Sequence, residues 1–492
     1  MKACSTILGR LIALLISAIS AIGVAFAAPL LNEVQQPVPT QELQQLSVSE
    51  LIEHYVKVGL SSNLTLQDAN LEVERSQAAL DAARAKFFPE ASLIARYTRA
   101  EGGREIALPL AAAFNPVYST LNELLVASGQ GPRFGLIEDP RFLLQREREQ
   151  DTRITVRQAL FAPAIPAAVR ARKAALAAND FARLALTQRL RRDITVGYLN
   201  WLQAERATRI LVASQSLLDE NLRITQSLFD NGVITRDQVL RAKAEALSLT
   251  QQRIELDGNT QQLRAYVNFL LNRSLDTPLQ IAEMQDDWRR VDQDLDVLRE
   301  AALAQRAEVA ELRSASTAAK AQSDLARSAR WPSLALALDG GTQGEAYEFG
   351  RGRNFATLSL LLSWTLFDGG GRRADERAAR LAERQFELRN DALRQSIKLE
   401  VQQALDALLA SQAAIQTAFV RQQAAQEGFK IAARKRDAGV ISQVEFLDAR
   451  TALTTAEMEF NRLHFAVMSK QAELDYVTGT PDITGFLNTG NF

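Results

Sequence analysis

Two carboxylates, Glu445 and Asp448, stand three residues apart just after the turn Gly439-Val440-Ile441-Ser442. That spacing puts both on one face of a helix, where they can draw cations or pair with basic groups. Glu445 has a second use, because Ser442-x-x-Glu445 is also a capping box that starts a helix. Other chemistry is thinly supplied. The two histidines, His54 and His464, sit far apart on separate amphipathic stretches, and the one cysteine, Cys4, lies near the start of the chain. Neither metal-ligand spacing nor a nucleophile motif occurs. The Gly369-Gly370-Gly371 run before Arg372 and Arg373 lacks the Lys-Ser/Thr of a phosphate-binding loop and reads as a strand-to-helix bend. The chain is therefore expected not to be an enzyme and to need no cofactor or metal.

The turn before those carboxylates occurs twice. Asp230-Asn231-Gly232-Val233-Ile234-Thr235 matches Asp437-Ala438-Gly439-Val440-Ile441-Ser442, each between long stretches rich in Ala and Leu. Such self-similarity marks an internal duplication. Gly232 and Gly439 suit the left-handed position that ends a helix, and Thr235 and Ser442 suit the N-cap of the next. Val233, Ile234, Val440 and Ile441 are harder to place, since apolar residues at a hairpin tip face water unless a neighbour or partner covers them.

The first residues carry an address. Lys2 and Arg10 precede an apolar run that ends Ala25-Phe26-Ala27. This reads as a signal peptide over residues 1–27, followed by a linker over 28–47 that leaves Cys4 behind with the leader. Past the leader no apolar stretch approaches the length of a membrane helix, so any entry into a membrane must use strands. With 57 basic and 58 acidic residues there is no charge excess to suit a nucleic acid.

Repeat 1 is expected over 48–290 and repeat 2 over 291–480, with a tail over 481–492. Ser47 and Glu50 form a capping box before Leu51, Ile52 and Tyr55. Helices over roughly 62–86 and 305–330 must stop before Pro89 and Pro332. Strands are expected over 91–98, 152–161 and from 334, and most clearly over 357–366. There Leu358, Leu360, Leu362, Trp364 and Leu366 share one face, while Thr357, Ser359 and Ser363 share the other. One greasy face and one small polar face over about ten residues is the pattern of a transmembrane strand, with Leu358, Leu360, Leu362 and Trp364 facing the membrane. Between the first two strands lies an extra segment over 101–150, too long for an idle connection and read as a lid or surface loop.

Each strand pair is followed by a helix of about 60 residues, roughly 166–228 and 373–436, spanning about 95 Å. Phe386, Leu393, Ile397, Val401, Leu405, Leu408, Ile415 and Phe419 form a coiled-coil-like seam along the second. Return helices follow over 236–271 and 443–478. A return helix plus the earlier short one nearly equals the long helix, so two short helices stacked end to end can lie antiparallel to each long one. The repeated turn then lies at the end of the rod remote from the strands. Four strands cannot close a barrel. Eight, from two subunits, would be filled by their own side chains, whereas twelve from three leave a lumen.

The strand-to-helix junction Thr365-Leu366-Phe367-Asp368-Gly369-Gly370-Gly371 and the two Gly-Val-x-Ser/Thr turns, in this doubled order, resemble the bacterial outer-membrane efflux (TolC) family. The first-half junction, Ala159-Leu160-Phe161-Ala162-Pro163, departs from that pattern, with Pro163 and Pro166 able to start the helix instead. The resemblance implies a mainly α protein with a small β part: a homotrimer with a twelve-stranded barrel in the outer membrane and an α-helical tunnel crossing the periplasm of a Gram-negative bacterium. It implies the passive exit duct of a tripartite efflux system for small molecules. The partners would be a periplasmic adaptor, an inner-membrane transporter of RND or ABC type reached through it, and outer-membrane lipid. By the same resemblance Gly232, Val233, Ile234, Gly439, Val440 and Ile441 dock the adaptor, while Glu445 and Asp448 ring the periplasmic aperture. The first turn carries Gln238 and Arg241 at the equivalent places, with Asp237 shifted by one, so an acidic ring from both hairpins is not expected. A protein-secretion duct of type I, or an exported coiled-coil scaffold, are the competing readings.

Overall fold

The computed structural model describes residues 47–143, 146–282, 294–348, 350 and 352–479. The expected signal peptide over 1–27, nearly all of the linker over 28–47 and the tail over 481–492 lie outside the described residues.

The chain opens where Ser47 and Glu50 cap each other. The Ser47 hydroxyl accepts the Glu50 amide, and the Glu50 carboxylate accepts the Ser47 amide at 2.8 Å. Helix α1 (Val48–Ser62) buries Leu51, Ile52, Tyr55 and Val56, and α2 (Leu64–Ala85) follows after a break at Asn63. Asn63 performs two tasks there. Its side chain caps α2 through the Leu66 amide at 3.1 Å and donates to the Leu270 carbonyl at 2.9 Å.

Strands β1 (Glu90–Arg99) and β4 (Arg148–Phe161) follow, with β2 (Glu105–Ala107), α3 (Leu110–Ala127) and β3 (Arg141–Leu143) between them. The segment over 101–150 is thus built rather than looped, and β4 starts inside it. Helix α4 (Ala164–Asp230) then runs 67 residues, about 100 Å, and α5 (Arg236–Leu270) returns. The second repeat gives α6 (Leu295–Gln305), α7 (Ala307–Ser328), β5 (Ser333–Gly344), β6 (Asn354–Ser363), α8 (Gly371–Asp437) and α9 (Gln443–Thr478). The two long helices are equal in length, at 67 residues each.

Each long helix is lined by three shorter partners. Helix α4 packs on α5 towards the turn and on α1 and α2 towards the strands, while α8 packs on α9 and then on α6 and α7. Cross-contacts of α4 with α7 and α9 join the repeats. The return helices end alike, at the breaks between the short ones. Asn272, at φ 49°, takes the left-handed position after α5, and Gly479, at φ 74°, takes it after α9. A Cβ on Gly479 would crowd the backbone of Gln305 and Arg306 at 3.0 and 3.1 Å, which together with the left-handed φ favours glycine at this end. The expected seam on α8 is buried at Ile397, Val401, Leu405, Leu408 and Ile415, against Leu463 and Val467 of α9. Its ends are looser: Phe386 is half-buried and Phe419 tilts against Phe460 at 5.7 Å.

The four long strands form one antiparallel sheet in the order β1-β4-β5-β6, leaving β1 and β6 as edges. Helices join every strand at one end of the sheet, so the β1–β4 excursion leaves from the other end. Register fixes the faces. Leu93 pairs with Ile154, Val156 with Leu338 and Leu338 with Leu358, so one apolar face continues across all four strands. Leu93, Leu358, Leu360 and Leu362 on it are about two-thirds exposed (70%, 69%, 64% and 68%). The opposite face sets Arg96 opposite Asp151 and Thr155 opposite Asp339. Asp151 is buried there and pairs with Arg153 at 2.7 Å and Arg96 at 3.7 Å. A Cβ on Gly341 would lie 2.1 Å from the Thr152 carbonyl oxygen, which is why glycine stands where β5 crosses β4 so closely.

Two details differ from the sequence expectation. Strand β6 ends at Ser363, so Trp364 and Leu366 lie past it. The Trp364 indole donates to the Arg330 carbonyl at 3.2 Å, which holds the ring at the base of the sheet rather than within the strand. Leu361 also interrupts the small polar face and is 49% exposed. No helix among the described residues is long and apolar enough to cross a membrane.

Candidate functional site

The two turns are built by the same bonds. Gly232 and Gly439 are left-handed, at φ 73° and 70°. Val233 donates its amide to the Leu228 carbonyl at 2.9 Å, and Val440 donates to Lys435 at 2.8 Å. Those six-to-one bonds, beside the glycine bonds to Phe229 and Arg436, are the Schellman closure of a helix end. Glycine is required because another L-residue at that φ carries a steric cost of roughly 1–2 kcal/mol.

The tip residues divide by direction. Val233 and Val440 face solvent, 67% and 70% exposed, whereas Ile234 and Ile441 are half-buried. Ile441 packs on a small core of Leu211, Leu218, Leu249, Phe446 and Leu447 that unites both hairpins. Each turn therefore presents one bare valine at the tip of its hairpin.

The following helix starts differ. Ser442 and Glu445 form a complete capping box, the Glu445 carboxylate accepting the Ser442 amide at 2.9 Å. Thr235 stands at the N-cap of α5 but its side chain makes no cap bond. Asp448 lies one turn beyond Glu445, both exposed, while Phe446 and Leu447 point into the core. Among the described residues no salt bridge of the chain reaches Asp448. Arg436 does not turn towards it; its guanidinium covers the Phe446 ring at 4.1 Å, and burial there draws its pKa down against the pull of Asp437 and Glu220. The second tip thus displays Val440, a carboxylate used in a cap and a carboxylate free on the surface. The first tip places Gln238 half-buried, with Asp237 and Arg241 exposed.

Among the buried charged residues that escaped the sequence reading, two lie on α9. Arg450 is 2% exposed, and its Nε and Nη2 have no hydrogen-bond partner among the described residues. Burial lowers its pKa, while Glu245 and Glu457 oppose that shift. Asp475, nearer the other end of α9, is 5% exposed; burial pushes its carboxyl up to about 6, against a bond from Gln471. A signal existed for Arg450, which follows Phe446 by one helical turn and so shares its inward face. Beside Asp475 the helix breaks are locked by charge. Arg306 is clamped by Glu308 and Glu400, and Tyr476 lies against both Arg192 and Arg306. Burial opposes the charge on Arg306, but the bonds from Glu308 and Glu400 prevail and hold its pKa above the ordinary value. Among the described residues no group of His, Cys, Asp or Glu gathers that could hold a metal ion.

Two predictions follow from these caps and burials. Ser442→Ala should destabilise its hairpin by about 0.5–2 kcal/mol, seen as faster hydrogen exchange at the first amides of α9. Thr235→Ala should leave α5 unchanged to within about 0.5 kcal/mol, and equal effects at both sites would contradict the asymmetry. For Asp475 the sign runs against the usual acid. Its folded pKa lies above its unfolded value, so its burial costs nothing at low pH and destabilises progressively as pH rises from about 4 to about 6. Asp475→Asn should therefore stabilise at pH 7.5 by up to about 3 kcal/mol, and should flatten the pH dependence of thermal unfolding in that window. An unchanged profile would show that Asp475 is solvated.

Residues 298–480, from within α6 to just past the end of α9, match the family described as outer membrane efflux protein. No curated protein matches the chain. Solved structures do. The CmeC outer membrane channel of Campylobacter jejuni superposes with a TM-score of 0.74 at 17% identity, covering 87% of this chain and 86% of that one. VceC, an outer membrane protein of Vibrio cholerae, gives 0.71 at 16% identity over 87% and 96% of the two chains. The open state of the MtrE outer membrane channel of Neisseria gonorrhoeae gives 0.69 at 18% identity over 87% and 88%. At such identities the likeness establishes the fold.

Proposed function

We propose that this chain, a member of the outer membrane efflux protein family through residues 298–480 and TolC-like in fold, is the outer-membrane exit duct of an efflux system. The observation that carries this reading is the sheet. Its apolar face is continuous and exposed, its other face is mainly polar but interrupted by Ile94 and Leu361, and both edges are unpaired among the described residues. An apolar strand face suits lipid, but an open edge in lipid leaves backbone groups without partners at several kcal/mol each. The edges must therefore pair with other copies.

Chain direction favours a ring. Strand β1 leaves the helical end of the sheet and β6 returns to it, so β6 of one copy meets β1 of the next antiparallel, like every other pair in the sheet. This is a head-to-tail contact, which closes when its rotation divides the circle. Three copies give twelve strands, enough to leave a lumen lined by Arg96, Asp151, Arg153, Thr155 and Asp339. The paired 100 Å helices would continue that lumen as a tunnel. With six hairpin tips at the far mouth, the bare Val233 and Val440 would seat a periplasmic adaptor, and through it an inner-membrane transporter. Gly232 and Gly439 set the turns, while Ile234 and Ile441 brace them from behind. Transport would be passive within the duct, with energy supplied by the transporter.

Asp448 is the aperture residue on this reading, because its carboxylate is exposed and uncommitted within the subunit while that of Glu445 is held in the cap. Three copies would form an acidic ring attractive to cations. Asp448→Ala should raise single-channel conductance in planar bilayers and weaken cation block, and Glu445→Gln should do so less. Unchanged conductance in intact assemblies would remove Asp448 from the aperture. Recovery of the wild-type protein from the soluble periplasmic fraction would instead overturn the duct.

A further inference from the structure

Helix α3 (Leu110–Ala127) carries an apolar seam that the described part of the chain leaves open. Leu110, Phe114, Val117, Leu121 and Leu124 recur at spacings of four, three, four and three, and they are exposed by 38%, 45%, 53%, 38% and 63%. That 3.5-residue period is the spacing of helices that pack on other helices. The seam is held outward rather than left slack. Asn115 exchanges two bonds with the Ile137 backbone at 2.9 and 3.0 Å, and Asn122 bonds the backbone of Arg133 and Phe134 at 2.7–3.0 Å. Asp139 accepts the Ala111 amide at 2.7 Å, and Tyr118 stacks on Phe134 at 5.5 Å. The polar stripe of the helix is thus spent on its own return segment, 133–139, and the adjacent apolar stripe stays bare.

We propose that this seam is a contact between copies of the chain, formed by α3 helices meeting over the outer mouth of the duct; it rests on the duct read above. Three observations select a second copy over lipid. The seam has the helix-packing period. The helix has no Lys or Arg, whereas helices lying in a membrane interface are rich in them on the polar face. The excursion rises from β1, the edge strand that must pair with the next copy, so α3 lies beside a junction between subunits. Three seams converging about the symmetry axis would cover Phe114, Val117 and Leu121 and obstruct the opening to large solutes. The end of the duct opposite the acidic ring would then be closed by apolar contact.

The sequence has one cysteine, Cys4, ahead of the described residues, so introduced thiols report cleanly after Cys4→Ser. Full-length protein is extracted from outer membranes as its assembled form and oxidised with copper phenanthroline. Leu121→Cys, on the seam, should run as a disulfide-linked dimer on non-reducing gels, while Ser119→Cys, on the far side of the helix, should stay monomeric once heated. Leu121→Asp should increase conductance and entry of large antibiotics while the assembly stays intact. No Leu121→Cys cross-link in intact assemblies, or equal cross-linking at both positions, would overturn the contact. So would a nitroxide at position 121 relaxed by a lipid-soluble agent, which would give the seam to the bilayer. Should the wild-type protein form no multimer, the duct reading fails first, and the contact fails with it.

Discussion

Unpaired amides and carbonyls along β1 and β6 constrain everything else in this molecule. A four-stranded sheet with one exposed apolar face is unstable in water through that face and unstable in lipid through its edges. Joining copies edge to edge within lipid would remove both problems, and alternation of strand direction permits the join. In the proposed duct the polar face would be interior, which would account for an Arg96-Asp151-Arg153 cluster and a Thr155-Asp339 bond inside a sheet only four strands wide. Within that cluster Asp151 Oδ2 takes both guanidinium contacts, while Asp151 Oδ1 and Arg153 Nε find no hydrogen-bond partner among the described residues.

The helices answer a second constraint, that of length. Each 67-residue helix is covered along its length by three shorter partners of its own repeat. Polar contacts gather at the joints between those partners. Asn63 spans one joint with two directed bonds, and Arg306 closes the other with two carboxylates. Duplication kept the geometry and changed the residues. Asn272 and Gly479 both take the left-handed helix end, one by a tolerant side chain and one by having none. The tips diverged likewise, since only Ser442 completes a capping box and only the second hairpin presents Asp448 beside it.

Much of this was legible in the residues. Period-two and period-3.5 patterns, Pro89 and Pro332, and the paired glycines placed the long elements within a few residues, because each signal is local. The misses have different causes, some local and some resting on contacts distant in sequence. Thr235 has the right type for an N-cap, yet its hydroxyl is not used. Trp364 continued the alternation of β6, but its indole bond to Arg330 belongs to the base of the sheet. The burial of Arg450 and Asp475 follows from helix packing that their charge conceals. The 101–150 segment was masked by Pro116 and its glycines, although the spacing of Leu110, Phe114, Val117, Leu121 and Leu124 was already that of a helix.

Native mass of the detergent-solubilised protein, purified from outer membranes without cross-linking, tests edge pairing most directly. Edge-to-edge closure predicts a single species of three copies that falls to monomers only when the strands melt. A stable monomer with its sheet intact, or a dimer as the sole species, would contradict it.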